Sequence, residues 1–254
     1  MGLEDIAHKQ LGGLFVQVLD QAPVVLMAQA AGFDFLFFDG EHGDIDRSRL
    51  SSVMLLGNSL GIPSIVRAPQ LARADVSRML DLGASGVMVP MVETAAQARQ
   101  LVQWAKYPPV GARSYSGGAH TGYGPSGHHA QNMSRANVST LAIAQIETVE
   151  GVRNVRDILA VPGLDAAIVG PCDLAISMGR PDEVACPEEL ALIDEVQAAC
   201  AAAGKGFGII GGNALLARYA GNINLMVSAI DTHILRDALA GAAFDYQKIR
   251  AQAK

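Results

Sequence analysis

Cysteine and charge are both scarce in this chain, and each scarcity closes off a class of function. The 254 residues include three cysteines, Cys172, Cys186 and Cys200. They are odd in number, far apart and form no CxxC pair, which excludes a disulfide frame or a thiolate zinc site and suits reduced thiols in a cytoplasm. Charged residues make up 17% of the sequence, with a formal net charge of −6, so no broad basic field exists for a nucleic-acid backbone. No apolar run is long enough to cross a bilayer, since even FDFLFFDGEHG meets acids after a few residues. The opening MGLEDIAHKQ has no basic stretch followed by an apolar one, so a secretory leader is not expected and a cytoplasmic protein is. Half the residues are hydrophobic and the mean hydropathy is +0.24. That is rich for a monomer and leads us to expect a homo-oligomer that buries apolar surface between copies.

Short apolar runs alternate with longer Ala-rich amphipathic stretches along the whole length, the pattern of βα units around a parallel sheet. The strand candidates are Leu14–Leu19, Phe35–Asp39, Ser64–Arg67, Gly86–Pro90, Leu141–Ile146, Ala166–Val169, Gly206–Ile210 and Leu225–Ala229. Eight such units predict a single (β/α)8 TIM barrel over residues 1–254, an α/β fold whose usual size this length matches. Helices are predicted over stretches such as Ala72–Leu82 and Ala95–Tyr107, each ended or followed by Gly or Pro. The segment from Pro108 to Val138, rich in Gly, Ser and His, breaks the rhythm. It reads either as a functional lid or interface arm or as a disordered surface loop.

In a barrel of this kind the chemistry sits at the C-terminal ends of the strands, so the polar residues that end each apolar run are the candidates. The second run ends in Asp39-Gly40-Glu41-His42, the third in Arg67, the fifth in Gln145 and Glu147, the sixth in Gly170-Pro171-Cys172-Asp173. Glu147 and Asp173 end adjacent strands and offer two hard oxygen ligands, which suits Mg²⁺ or Mn²⁺ with other positions left open. Each acid taken alone also reads as a helix cap. Arg67 has a planar fork suited to a carboxylate or enolate oxygen, and reads equally as half of an ion pair with Glu41 or Glu93. His42 follows Asp39 and Glu41, which would orient it as a general base. His120, His128 and His129 lie in the long loop with no metal-ligand spacing. None of Lys9, Lys106, Lys205, Lys248 and Lys254 is placed to form a Schiff base. The Cys172 backbone N–H counts for more than its sulfur, because the turn needs a small residue.

At FDFLFFDGEHG, PSIVRAP, LDLGASGVMVPMVETAAQA, AQIETVEGVRNV and AAIVGPCDLAISMG the sequence resembles the HpcH/HpaI aldolase family, class II pyruvate aldolases of the 4-hydroxy-2-oxoheptanedioate aldolase type. The blocks fall in the family's order from about Gly13 to about Leu239. The resemblance implies a barrel of the phosphoenolpyruvate/pyruvate-domain type and a divalent metal such as Mg²⁺, Mn²⁺ or Co²⁺. It also implies a hexamer, a trimer of dimers with the C-terminal helix, about residues 232–252, exchanged between subunits, and work in aromatic-compound catabolism. Carried over by position, Glu147 and Asp173 hold the metal, with Asp173 also beside the substrate. Arg67 binds the enolate and His42 is catalytic. Asp39 and Asp81 are acids linked to that histidine, Gln145 contacts pyruvate, and the Cys172 backbone, where relatives usually have Ala, binds the carboxylate. Arg113 is kept while the loop around it, ARSYSGGAHTGYGPSGHHAQ, is rewritten. In relatives that loop and a neighbouring subunit shape the aldehyde end of the pocket.

The function expected is therefore cleavage or formation of 4-hydroxy-2-oxo acids from a 2-oxo acid and an aldehyde. His42, directly or through a bound water, would take the 4-hydroxyl proton. A citrate-lyase-β-like or malyl-CoA lyase type enzyme is the enzymatic alternative, against which stands the lack of a basic cluster for CoA. A non-catalytic binding barrel is the alternative of another class, against which stands the intact set of costly polar groups.

Overall fold

Side chains alternate between the two faces of a strand, and this period divides every apolar run of the chain into a half that points into a barrel and a half that faces helices. The computed structural model describes residues 3–4, 6–124 and 127–252. It contains β1 (Leu11–Val16), α1 (Pro23–Ala31), β2 (Phe35–Asp39), α2 (Arg47–Leu60), β3 (Ser64–Arg67), α3 (Arg73–Asp81), β4 (Gly86–Val89) and α4 (Ala95–Ala105). Then come α5 (His129–Ser139), β5 (Leu141–Ile146), α6 (Val149–Arg153), α7 (Val155–Leu159), β6 (Ala166–Val169), α8 (Pro171–Ser177) and α9 (Pro187–Ala203). The chain finishes with β7 (Gly206–Ile210), α10 (Asn213–Arg218), β8 (Leu225–Ile230) and α11 (Asp231–Gln252). The strands close in sequence order into one parallel barrel, β8 pairing with β1. This is a single (β/α)8 barrel, as the alternation predicts.

Two apolar clusters follow from that alternation. Phe15, Phe35, Phe37, Ile65, Met88, Ile143 and Ile168 fill the inside. Val16, Leu36, Phe38, Val66, Val87 and Ala144 face outward against the helices. Each fully buried Phe or Ile contributes about 1.5–3 kcal/mol relative to an exposed one. Helix ends obey local rules. Thr94 accepts the Gln97 N–H while the Gln97 side chain accepts the Thr94 N–H, opening α4 with a capping box, and α9 stops at left-handed Gly204.

Seven strands lie within a residue of their predicted bounds, but β1 begins three residues earlier than the predicted Leu14–Leu19. Gly12 and Gly13 look like loop punctuation, yet Gly13 is inside the strand because the Phe35 ring lies where its Cβ would be, 2.4 Å from the nearest ring carbon. After Val16 the buried carboxylate of Asp231 accepts the N–H groups of Gln17, Val18 and Leu19 at 2.9–3.0 Å and turns the chain out of the sheet.

The 108–138 segment is not a structureless lid over its own barrel mouth. It holds a 3-10 turn, Ala119–Thr121, and most of α5. It connects a helix to the next strand, a junction that in this topology lies at the N-terminal ends of the strands, opposite the mouth. Asn137 pins it there by accepting the Tyr107 N–H at 2.7 Å and donating to the Tyr107 carbonyl at 2.9 Å. Pro125 and Ser126 of that segment and Lys254 lie outside the described residues.

Candidate active site

Counting inward-facing positions along the strands places Gln17, Asp39, Arg67, Gln145 and, one step further along its strand, Glu147 at the barrel mouth, above the Phe15 and Phe37 rings, which stack 5.2 Å apart. Asp39 is fully buried and grips Arg67 with both oxygens: Nε donates to Oδ1 at 2.9 Å and Nη2 lies 2.8 Å from Oδ2. Arg67 Nη1 lies 3.1 Å from Glu41 Oε2, and its guanidinium sits 5.6 Å from the Phe15 ring centroid. Burial alone would raise the Asp39 pKa, but Arg67, Gln17 and the His42 N–H together hold it below the usual carboxylate value. The Glu41 pKa is raised, because burial outweighs the opposing charges of Arg67 and His42.

Glu147 is 2% exposed. Its Oε1 accepts the Met91 N–H at 2.7 Å, which a left-handed Met91, φ 56°, turns toward it. Its Oε2 accepts from Gln145 Nε2. Burial, with the charges of Asp173 and Glu41 adding to it, pushes its pKa up from 4.5 to about 7 against the pull of the Met91 N–H and Arg67. Gly170 leaves room for this pair, since a Cβ there would meet Glu147 Oε2 at 2.7 Å and Gln145 Nε2 at 2.8 Å and push those side-chain ends aside. The helix-cap readings of the two acids do not hold. Thr148, not Glu147, caps α6 by accepting the Gly151 N–H, and Asp173 lies exposed in the first turn of α8 with no capping bond.

The mouth is thus short of positive charge. Asp39, Glu41, Glu147 and Asp173 face one guanidinium, and Arg67 is already committed to two of them. Gln145 Oε1 is buried without a partner among the described residues. A hard cation between Glu147 and Asp173 would relieve both conditions. Among the described residues no three His, Cys, Asp or Glu side chains converge to enclose a metal, so such an ion would keep open positions for substrate and water.

The other predicted residues fall as follows. The His42 side chain is 63% exposed, with Nε2 3.8 Å from Glu41 Oε2. Asp39 does not orient that ring, because its carboxylate holds the His42 backbone N–H instead, at 3.2 Å. The alternative ion pair of Arg67 is formed with Glu41 and not with Glu93, which accepts from Thr148 Oγ1. Cys172 is exposed as a residue, yet partial burial of its thiol, with the charges of Asp173 and Glu189, raises its pKa, away from a thiolate. Asp81 ends α3 at the foot of the barrel, where Arg113 Nη2 lies 2.7 Å away, so one chain does not bring it to its own His42. His120 lies at that foot beside Tyr107, in a cavity of 320 Å³ remote from the carboxylates of the mouth. Lys106 is buried there, bonded to Asp165, and Lys205 bonds the Leu164 carbonyl, so neither reaches the mouth.

Two groups of the mouth carry no assignment from the sequence: Gln17 and the Met91 N–H. Gln17 lay inside a strand placed three residues too late, although its two-residue phase with Phe15 marks it as inward-facing. The strained Met91 turn has no residue-type signal.

Fold and mouth together define a (β/α)8 barrel with an acid-rich site built around a single arginine. Residues 12–214 match the model of the HpcH/HpaI aldolase/citrate lyase family. The chain is 36% identical over 207 residues to a hydroxypyruvate/pyruvate aldolase of Pseudomonas aeruginosa, covering 81% of this chain and 76% of that protein. It is 38% identical over 189 residues to a 2-dehydro-3,6-dideoxy-6-sulfogluconate aldolase of Pseudomonas putida, covering 72% and 71%. The crystal structure of an HpcH/HpaI aldolase from Desulfitobacterium hafniense superposes with a TM-score of 0.88 at 28% identity, covering 94% of this chain and 93% of that one. The chain belongs to the HpcH/HpaI aldolase/citrate lyase family and is a carbon–carbon lyase.

Proposed function

We propose that the chain is a class II aldolase for 4-hydroxy-2-oxo acids, joining pyruvate or a related 2-oxo acid to an aldehyde or reversing that step, with Mg²⁺, Mn²⁺ or Co²⁺ held by Glu147 and Asp173. The observation that carries this reading is the excess of carboxylate around buried Glu147, whose pKa stands near 7. When bound, the cation supplies Lewis-acid charge beside the 2-oxo group.

The chain's own residues do the rest. Arg67, held in place by Asp39, offers fixed positive charge where negative charge develops on the 2-oxo oxygen. The Gln145 amide and the Cys172 and Asp173 turn frame the 2-oxo acid. His42, exposed at the rim beside Glu41, takes the 4-hydroxyl proton. The C3–C4 bond then breaks, its electron pair passing to the enolate while the aldehyde leaves. Asp81 can serve a histidine only across two copies, with the foot of one barrel facing the mouth of another. The exposed side chains of Leu239, Phe244, Tyr246 and Ile249 on α11 support a homo-oligomer, a hexamer with that helix exchanged. Among the described residues no helix is long and apolar enough to cross a membrane.

The test is to incubate the protein with pyruvate in D₂O and follow loss of the methyl proton signal. Exchange that a chelator stops and that Glu147→Gln abolishes is the expected result. Absence of exchange with every divalent metal sinks the aldolase reading, and trapping with borohydride revives a lysine mechanism.

A further inference from the structure

α11 leaves the barrel with most of its surface exposed, yet its first turn is wired to the active-site arginine. Asp231, 1% exposed, accepts three consecutive N–H groups where β1 ends. The next residue, Thr232, donates its hydroxyl to Gln17 Oε1 at 3.0 Å. Gln17 Nε2 donates to Asp39 Oδ2 at 3.2 Å, the same oxygen that faces Arg67 Nη2. The chemistry of the groups dictates the direction of the chain of bonds. An ionised carboxylate only accepts, so the Gln17 amide must present its NH₂ to Asp39. The Thr232 hydroxyl then fixes the amide oxygen on the far side. Space around Gln17 is also closed, because a Cβ at Gly43 would lie 3.1 Å from the Gln17 carbonyl oxygen and 3.3 Å from its Cα.

We propose that Gln17 is a positioning residue that couples the start of the C-terminal helix to Arg67. Its amide locks the Asp39 carboxylate in the rotamer that grips the guanidinium with both oxygens, and Thr232 locks the amide. Any shift of α11 at its root therefore reaches the group that meets the substrate anion. The role assigned to Arg67 rests on the aldolase reading; the linkage itself does not.

Two readouts separate them. The first is the rate at which phenylglyoxal modifies Arg67 and Arg113, followed by peptide mass spectrometry in the full-length protein. Arg67, now shielded by its ion pairs, should react about fivefold faster in Gln17→Leu and in Thr232→Val, the factor expected for loss of one buried hydrogen bond. Arg113 at the foot should be unchanged, Thr232→Ser should restore protection, and the double variant should react no faster than either single one, because both cut one relay. The second is pyruvate exchange, in which KM should rise about fivefold with a smaller change in kcat. An unchanged Arg67 rate in Thr232→Val, effects that multiply in the double variant, or Arg67 and Arg113 accelerating together would overturn the relay. A wild-type protein that exchanges no pyruvate protons refutes the aldolase reading, while the labelling still decides the relay.

Discussion

The two ends of the barrel bury charge by opposite rules. At the foot the two buried cations, Lys106 and Arg113, each have their own acid. Lys106, 2% exposed, lies 2.8 Å from Asp165 Oδ2 and also donates to the Asn137 and Thr140 carbonyls. Arg113 pairs with Asp81 and stacks over the Tyr107 ring at 4.8 Å. At the mouth four carboxylates share one arginine, and the most buried of the unpaired ones stands near pKa 7. Charge that only holds a fold together is balanced where it is buried. Charge left unbalanced in a buried layer marks a place where something else arrives.

Substitutions at the two ends should separate these rules. The largest effect belongs to Glu147→Gln, which should lower pyruvate exchange by about 10³-fold while leaving the far-ultraviolet circular dichroism unchanged. A variant that keeps a tenth of the wild-type rate would place the cation elsewhere. Lys106→Met at the foot should do the reverse. Leaving Asp165 and two carbonyls without their donor costs about 3 kcal/mol in chemical denaturation, with the exchange rate per folded molecule intact.

The next effect is in pH. The folded-state pKa of Glu147 is raised from 4.5 to about 7, so the folded chain binds that proton more tightly than the unfolded chain. Metal-free protein should therefore lose stability as pH rises from about 4.5 to about 7, by about 2–3 kcal/mol at most. Glu147→Gln should flatten that slope, and so should saturating Mg²⁺, because either removes the uncompensated negative charge. A metal-free melting temperature that does not fall across this window would show that the mouth is not strained. The smallest effect marks where the mouth ends. Glu93→Gln, at a carboxylate that accepts from Thr148 Oγ1, should change stability by no more than about 0.5 kcal/mol and leave exchange unaltered.

How much of this was legible in the sequence depends on which rule wrote each part. Phe35–Asp39, Ser64–Arg67 and Ala166–Val169 are short apolar runs bounded by polar turns, and they lie where predicted because burial on both faces leaves no other register. β1 slid because its glycines serve a neighbour's ring and not a turn. Of the readings open for the 108–138 segment, the lid over its own mouth and the structureless loop fall away, since its position between a helix and a strand assigns it to the foot and it holds a 3-10 turn and most of α5. Arg67, Glu147 and Asp173 were found because they end strands. The grip of Asp39 on Arg67, the Met91 N–H on Glu147 and the Gln17 relay were not, since each depends on how strands far apart in sequence are staggered around the barrel. Asp81 was reached by resemblance alone, and the structure places it at the foot beside Arg113, away from the His42 of the same chain.

Whether the charge deficit at the mouth is a cation site is decided by titrating the metal-free protein with Mn²⁺ at pH 7, with free ion counted by electron paramagnetic resonance. One saturable site per chain is expected, lost in Glu147→Gln and in Asp173→Asn and retained in Lys106→Met. Binding that survives both mouth substitutions, or no saturable binding at all, would contradict it.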